Sequence, residues 1–223
     1  MNIIICNSQN WFHLSNDILL RHKILIIQDK NNLCADTLKS FKPDLIFFPH
    51  WNWLVEKEIF AKFKCIVFHT APLPYGRGGS PIQNLILRGH KVSPVCALKM
   101  SNELDKGPIY DKEEISLEGS LSEIFKRLDS AVNALIKRLI HHLPTPIKQT
   151  GVGKIFKRLG NKDNEISFDT TFEKTYDTVR MLDDPSYPSA YLSLKNIFIE
   201  FSEVNRKNDE FFCRVRISKK GST

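Results

Sequence analysis

The chain has 223 residues, of which 42% are hydrophobic and 26% charged, with 15 Phe against 10 Gly. This composition excludes a disordered chain, and the length favours one globular core with a small appendage. The longest apolar runs are far shorter than the roughly 20 residues that a bilayer-spanning helix needs, and the first residues lack the pattern of a secretory signal. We therefore expect a cytoplasmic protein that makes no membrane contact.

The formal net charge is +7, with Lys and Arg denser toward the carboxyl end. No nucleic-acid motif accompanies this charge, so solvated basic faces are the preferred explanation and a nucleic-acid partner is disfavoured. The five cysteines are scattered and form no CxxC pair, which argues against a disulfide framework and a zinc site, and we expect no metal. Cys6, Cys65 and Cys96 lie in apolar runs, where we expect buried thiols without a chemical role.

The first half of the chain alternates strand-like and helix-like segments. Apolar β-rich runs predict strands at residues 2–6, 23–28, 44–48 and 65–68, with helical crossovers at 32–41 and 53–62. This alternation predicts an α/β, Rossmann-like fold, a mostly parallel sheet flanked by helices, with ligands at the carboxyl ends of the strands. His50 and His69 directly follow strand-like runs and are therefore expected at that edge.

The second half predicts a short helix at 81–88 closed by Gly89, a strand at 92–100, and a return strand at 109–115. The capping-box pattern SLSE at Ser120 begins a helix that is expected to run over 121–143, before Pro144. A Pro- and Gly-rich stretch then predicts a boundary between a catalytic domain, residues 1–148, and a small carboxyl-terminal region, residues 149–223. That region is predicted to hold a helix at 172–182 and a β-hairpin formed by 191–204 and 211–217.

The segment HTAPLPYGRGGSPIQN, residues 69–84, is placed between a predicted strand and a predicted helix. Gly76, Gly78 and Gly79 permit positive φ angles and close approach by a ligand, and their backbone N–H groups suit an anion. The segment is neither GxGxxG nor a Walker loop, because no Lys-Ser/Thr follows the last glycine. Dinucleotide binding and P-loop chemistry of the usual kind are therefore excluded.

The segment resembles the signature of formyltransferases that use 10-formyltetrahydrofolate. That signature is a strand ending in Asn-x-His, a Pro-rich loop with Arg-Gly and Pro, and a later Leu-Asp-x-Gly turn. The residues that match it are His69, Pro74, Arg77, Gly78 and Pro81 in the loop, and Leu104, Asp105 and Gly107 in the turn. The likeness covers most of the chain, with one departure, because the family Asn falls on Val67.

The resemblance implies that His69 and Asp105 are catalytic and that the formyl donor is 10-formyltetrahydrofolate. Formyl transfer to an amine builds negative charge on an oxygen, for which His69 supplies a hydrogen-bond donor, while a carboxylate beside the imidazole helps to move the proton of the amine. The donor is expected to contact Phe48, Pro49, His50 and Leu104. The acceptor substrate is expected to contact Arg77, Gly78, Gly79, Ser80, Asn84 and Tyr187.

Val67 removes one amide donor, and losing such a donor typically costs about 100- to 1000-fold in turnover. A backbone N–H, a water or the amide of Asn84 are the candidates that replace it. Other assignments also stay open at this level: Asp105 alone is typical of a turn, and His50 is as well explained by packing as by ligand contact. Packing is preferred over ligand contact for Trp51, Trp53 and Tyr187.

The substrate is inferred from the length of the carboxyl-terminal region, or tail, and from the amino-acid sequence of the glycine-containing loop. Residues 149–223 are too few for the large barrel-like domain of the methionyl-tRNA formyltransferases, and PYGRGGSPIQN looks more like the enzymes that act on sugar nucleotides. We therefore expect N-formylation of a nucleotide-linked amino sugar in surface glycan biosynthesis, such as that of lipopolysaccharide. The alternatives are a methionyl-tRNA formyltransferase-like enzyme, a 10-formyltetrahydrofolate hydrolase, and a non-catalytic folate- or nucleotide-binding protein. A homodimer is left open.

Overall fold

A computed structural model describes residues 1–220, which form a layered α/β structure. The strands are β1 Asn2–Asn7, β2 Lys23–Ile27, β3 Leu45–His50, β4 Cys65–Thr70, β5 Tyr75–Gly78, β6 Val92–Lys99, β7 Ile109–Ser116, β8 Lys154–Phe156, β9 Ala190–Ser193, β10 Ile197–Lys207 and β11 Glu210–Lys219. The helices are α1 Asn16–Arg21, α2 Ala35–Phe41, α3 Lys57–Lys62, α4 Pro81–Ile86, α5 Leu121–His141 and α6 Phe172–Arg180. Of the helices in residues 1–220, none combines the length and the apolar character that crossing a bilayer requires.

The central sheet has the strand order β2-β1-β3-β4-β6-β7. Its first four strands pair in parallel, and β6 and β7 pair antiparallel at the other edge. The parallel strands read as continuous apolar runs because helices cover both faces, so that Ile4, Ile46 and Ile66 are fully buried. The predicted α/β fold with a mostly parallel sheet is therefore confirmed.

Two apolar clusters lie on the two faces of this sheet, and together they hold the buried cysteines. Cys6, Cys65 and Cys96 are buried within these clusters, as the sequence predicts. Burial raises the pKa of Cys65 to about 12 and that of Cys96 to about 11, because desolvation disfavours the thiolate. Both thiols therefore stay protonated at neutral pH and behave as small apolar groups.

The helix α5 begins at the predicted capping box. The hydroxyl of Ser120 accepts from the backbone N–H of Glu123 at 3.3 Å, and the carboxylate of Glu123 accepts from the backbone N–H of Ser120 at 2.8 Å. The apolar residues of α5 repeat every three to four positions, and they are buried as one stripe that includes Ile124, Leu128 and Leu135. The helix ends at His141, two residues before the predicted end.

A second, small sheet joins the loop that contains Gly76, Gly78 and Gly79, called the glycine loop below, to the chain after α5. β5 pairs in parallel with β8, with Gly78 opposite Phe156. Phe156 is buried, and its ring packs edge-on against Tyr75. A three-residue strand has too short a pattern to be predicted from sequence, so this sheet was missed.

The carboxyl-terminal region forms α6 and a three-stranded antiparallel sheet with the order β11-β10-β9. The predicted strand over 191–204 is divided by a turn in which the N–H of Leu194 donates to the carbonyl of Ile197. Phe156, Ile166 and Val179 belong to the same apolar cluster as Ile3 and Phe47. The boundary at residue 148 stays a prediction.

The capping box of α5 gives a direct test of this fold. Ser120→Ala removes the acceptor for the N–H of Glu123, so we expect the free energy of unfolding to fall by about 1 kcal/mol in urea denaturation. Ser130→Ala, at an exposed position of the same helix, is the control and is expected to change stability by less than about 0.5 kcal/mol. Equal effects of the two substitutions would contradict the capping role.

Candidate active site

The structure brings the side chains of His69 and Asp105 together. His69 lies near the end of β4, and Asp105 lies in the turn between β6 and β7. Nδ1 of His69 is 3.5 Å from Oδ1 of Asp105, and each side chain is only 8% exposed. The imidazole and the carboxyl group that the motif singled out therefore form one buried pair.

The remaining polar atoms of the pair are held by the glycine loop. Nε2 of His69 lies 2.8 Å from the carbonyl oxygen of Gly76, and the backbone N–H of Gly78 donates to Oδ2 of Asp105 at 2.9 Å. Because a carbonyl only accepts, Nε2 carries a hydrogen. Nδ1 then faces Oδ1 of Asp105, so a proton on either atom lies between the imidazole and the carboxyl group.

The backbone of the Asp105 turn is tightly constrained. Asp105 has a left-handed conformation with φ of 54°, which is uncommon for a residue with a side chain. A Cβ on Gly107 would lie 1.8 Å from the carbonyl oxygen of Lys99, so only glycine fits there. The turn can therefore form only with glycine two residues after Asp105, which is the spacing that the motif contains.

Gln149 is a contact of this turn that the sequence analysis missed. Its Nε2 donates to the carbonyl oxygens of Asp105 and Gly107 at 2.7 and 2.8 Å. Its Oε1 accepts from Nε and Nη2 of Arg77 at 3.1 and 2.6 Å. Two N–H groups of the Arg77 guanidinium thus bind the side chain of Gln149. A role for Arg77 in binding substrate stays a prediction.

A cavity of about 420 Å³ lies beside Asp105. Most of its wall is apolar or aromatic, and includes Phe48, Trp51, Trp53, Leu54, Val55, Phe60, Val67, Leu98, Met100 and Leu104. Its polar lining includes Asp105 together with Lys57, Lys99, Ser101, Asn102 and Glu103. The size and the aromatic lining suit a flat organic ligand with a few polar groups.

Only some of the residues that are expected to contact the formyl donor line this cavity. Phe48 and Leu104 line it, whereas Pro49 and His50 are not among its lining residues. Trp51 and Trp53, which were expected to pack, line it as well and contact each other edge to face. His69 is also absent from the lining, so Asp105 is the member of the catalytic pair that faces the cavity.

His50 points toward the end of β1 instead. Its Nδ1 is 3.3 Å from the hydroxyl of Ser8, and its ring lies edge-on to Trp11. Burial, with a smaller contribution from the positive charge of Arg158, lowers the pKa of His50 to about 4. The ring is therefore neutral at pH 7, and it disfavours folding as the pH falls from about 6.5 toward 4, where the unfolded chain takes up the proton.

The glycine loop is packed against the segment after β8. A Cβ on Gly79 would lie 2.6 Å from Cα of Arg158, which explains the glycine at this position. The hydroxyl of Ser80 accepts from the N–H of Leu159, and the amide of Asn84 donates to the carbonyls of Gly79, Ser80 and Lys157. The amide nitrogen of Asn84 thus fastens the loop.

Tyr187 and Val67 complete the set of residues that the sequence singled out. The ring of Tyr187 packs against Phe125 with centroids 5.9 Å apart, and burial raises the pKa of its hydroxyl. Val67 pairs with Phe48 and Leu98 in the central sheet and lines the cavity. An aliphatic wall therefore occupies the position of the family amide.

Comparison with known proteins shows which relatives are similar to this chain in sequence and fold. A family model described as Formyl transferase matches residues 20–139, and one described as Methionyl-tRNA formyltransferase, C-terminal domain, matches residues 161–218. The solved methionyl-tRNA formyltransferase from Clostridium thermocellum is 38% identical with a TM-score of 0.91, and the match covers 98% of this chain and 99% of that one.

More distant relatives match over less of their length or at lower identity. A methionyl-tRNA formyltransferase of Rickettsia felis is 26% identical over 188 residues, which are 81% of this chain and 61% of that protein. Among such curated relatives the chain spans between 32% and 63% of their length. The structure of WlaRD, a sugar 3N-formyl transferase solved with dTDP and 5-N-formyl-tetrahydrofolate, shares the fold with a TM-score of 0.64 at 16% identity, covering 100% of this chain and 99% of that one.

The expectation of a sugar-nucleotide substrate was wrong. The relatives matched by sequence and the solved structure at 38% identity are methionyl-tRNA formyltransferases, whereas the sugar enzyme shares only the fold. The error came from the tail, which was judged by its length, although residues 161–218 match the carboxyl-terminal domain of the tRNA enzymes. With the amino-terminal model matching residues 20–139, this chain belongs to the formyltransferase family.

Proposed function

We propose that this chain transfers the formyl group of 10-formyltetrahydrofolate to the α-amino group of methionyl-tRNA. The observation that carries the proposal is the buried His69–Asp105 pair, whose carboxyl member lines an apolar cavity. The match of both parts of the chain to formyltransferase models supports the reaction, and the carboxyl-terminal match supports the tRNA substrate.

The cavity beside Asp105 fits the folate part of the donor. Phe48, Trp53 and Leu104 offer flat or apolar surface to an aromatic ring system, and Asp105, the member of the catalytic pair that lines the cavity, lies beside them. The donor supplies an activated formyl group. The cationic side chains of Lys57 and Lys99 in the lining suit the carboxylates that a folate carries.

Asp105 acts on the attacking amine in this proposal. An amino group is protonated before it reacts, and a buried carboxylate orients it and accepts its proton. The backbone N–H of Gly78 fixes one carboxylate oxygen, which leaves the other to be shared between His69 and the amine. To stabilise the negative charge that develops on the formyl oxygen, the Nε2–H of His69 exchanges the carbonyl of Gly76, its acceptor in this structure, for that oxygen.

Because Val67 stands where the family has Asn, the formyl oxygen has one hydrogen-bond donor fewer than in the family pattern. The amide of Asn84, one candidate replacement, already donates to Gly79, Ser80 and Lys157. We therefore expect His69 to carry a larger share of the stabilisation of the oxyanion in this chain, and turnover to be lower than in a relative with the family Asn.

The basic carboxyl-terminal strands suit an RNA partner. Arg214 and Arg216 on β11 are 70% and 79% exposed, although each also lies near a glutamate of β10. Lys219 and Lys220 follow at the end of the described chain. Contacts of such side chains with phosphates make binding weaken steeply as salt is added.

The experiment that tests the proposal incubates the protein with 10-formyltetrahydrofolate and charged methionyl-tRNA. We expect formylmethionyl-tRNA and tetrahydrofolate in equal amounts, with KM for the tRNA rising at least about tenfold between 50 and 200 mM salt. Formate release in the absence of any amine would indicate a hydrolase instead. Folate binding without transfer to methionyl-tRNA would contradict the proposal.

Substitution of the catalytic pair separates chemistry from binding. Asp105→Asn keeps the size of the side chain but removes the proton acceptor, so we expect kcat to fall at least about 100-fold while KM for the donor changes by less than about threefold. His69→Ala is expected to reduce kcat by a similar factor. Circular dichroism checks that both variants fold, and an effect on KM alone would contradict these roles.

Val67→Asn tests the missing donor. The new amide would face the cavity from β4. We therefore expect kcat to stay unchanged or to rise by up to about tenfold, without a change in KM for methionyl-tRNA. Val67→Leu is the control, because its side chain branches at Cγ as that of Asn does but carries no donor. A loss of activity only in the Asn variant would show that another group already fills that place.

A further inference from the structure

Gln149 lies between α5 and β8, in a stretch where no motif marks it. Its amide nitrogen donates to the carbonyl oxygens of Asp105 and Gly107, and its amide oxygen accepts two N–H groups of Arg77. One side chain thus joins the turn that carries Asp105 to the loop that carries Gly76 and Gly78. All four contacts lie between 2.6 and 3.1 Å.

The orientation of the Gln149 amide is fixed by its partners. Arg77 offers only donors, so it must meet the amide oxygen, and the two carbonyls offer only acceptors, so they must meet the amide nitrogen. A flipped amide would place like groups against each other on both sides. Arg77 therefore keeps the nitrogen of Gln149 aimed at the Asp105 turn.

The turn needs such a constraint because Asp105 has an unfavourable backbone conformation. A left-handed φ is unfavourable for a residue with a side chain and persists only where the surroundings hold it. Two hydrogen bonds from one amide to both sides of the turn supply that restraint. The backbone of Asp105 in turn sets where its carboxylate meets the N–H of Gly78 and the ring of His69.

We propose that Gln149 is a positioning residue for formyl transfer, because its amide nitrogen holds the backbone of Asp105 and Gly107 so that the Asp105 carboxylate stays between Gly78 and His69. This role rests on the proposed function for its effect on catalysis. Its effect on the position of the carboxylate does not depend on any substrate. A displacement of about 1 Å in a catalytic group is enough to lower turnover about 100-fold.

Two substitutions separate the two halves of the Gln149 contact. Gln149→Met keeps the length of the side chain and removes all four hydrogen bonds. Gln149→Glu retains the acceptor for Arg77 but loses both donors and turns an oxygen toward the carbonyls. Thr150→Ala, an exposed neighbour on the same segment, is the matched control.

The first measurement is amide hydrogen exchange, which needs no substrate. The N–H of Gly78 donates to the Asp105 carboxylate, whereas the N–H of Gly79 donates to the carbonyl of Phe156 and reports only the pairing of β5 with β8. We expect Gly78 to exchange at least about tenfold faster in both Gln149 variants, with Gly79 unchanged. Faster exchange at both amides would overturn the proposal, since Gln149 would then only hold β8 in place.

The second measurement is steady-state formylation of methionyl-tRNA. We expect kcat to fall about 10- to 100-fold in both variants, with KM for the donor within about threefold and Thr150→Ala unchanged. Unchanged exchange at Gly78, or a Gln149→Glu variant that behaves like the unmutated protein, would overturn the positioning role. An unmutated protein without formyl transfer would overturn the proposed function alone, and the exchange data would still decide the role of Gln149.

Discussion

The position of one carboxylate, that of Asp105, organises the whole site. It is reached by the imidazole of His69, by the N–H of Gly78 and, through its backbone, by Gln149. These groups come from β4 and the glycine loop that follows it, and from the segment after α5, which is far from both along the chain. The loop, the turn and the connecting segment must therefore all be in place before the carboxylate can meet a substrate.

The site is held mainly by backbone geometry and close packing rather than by an excess of charge. Gly107 lies where a Cβ would collide with Lys99, and Gly79 lies where a Cβ would collide with Arg158. Close-packed backbone of this kind allows few alternative arrangements, so the imidazole and the carboxylate are oriented in advance. Preorganised groups stabilise developing charge without having to move during the reaction.

The tail contributes to the core as well as to the surface. Phe156 pairs β8 with the glycine loop, and Ile166, Val179 and Ala190 are buried in the cluster that contains the central sheet. The tail therefore contributes apolar residues to the core that supports the site, although it is short. Its length gave the wrong substrate class, because a match to the carboxyl-terminal domain of the tRNA enzymes depends on sequence and fold and not on size.

The sequence by itself determined the features that depend on neighbours along the chain. These are the parallel strands, the capping box at Ser120, the glycine turn at Gly89 and the burial of three cysteines, and the motif also paired His69 with Asp105. Only the tertiary structure decided the pairing of β5 with β8, the contacts of Gln149 and the contacts of His50 with Ser8 and Trp11. Such contacts join residues distant in the chain through a few hydrogen bonds or a short stretch of contact, which leaves no periodic pattern in the sequence.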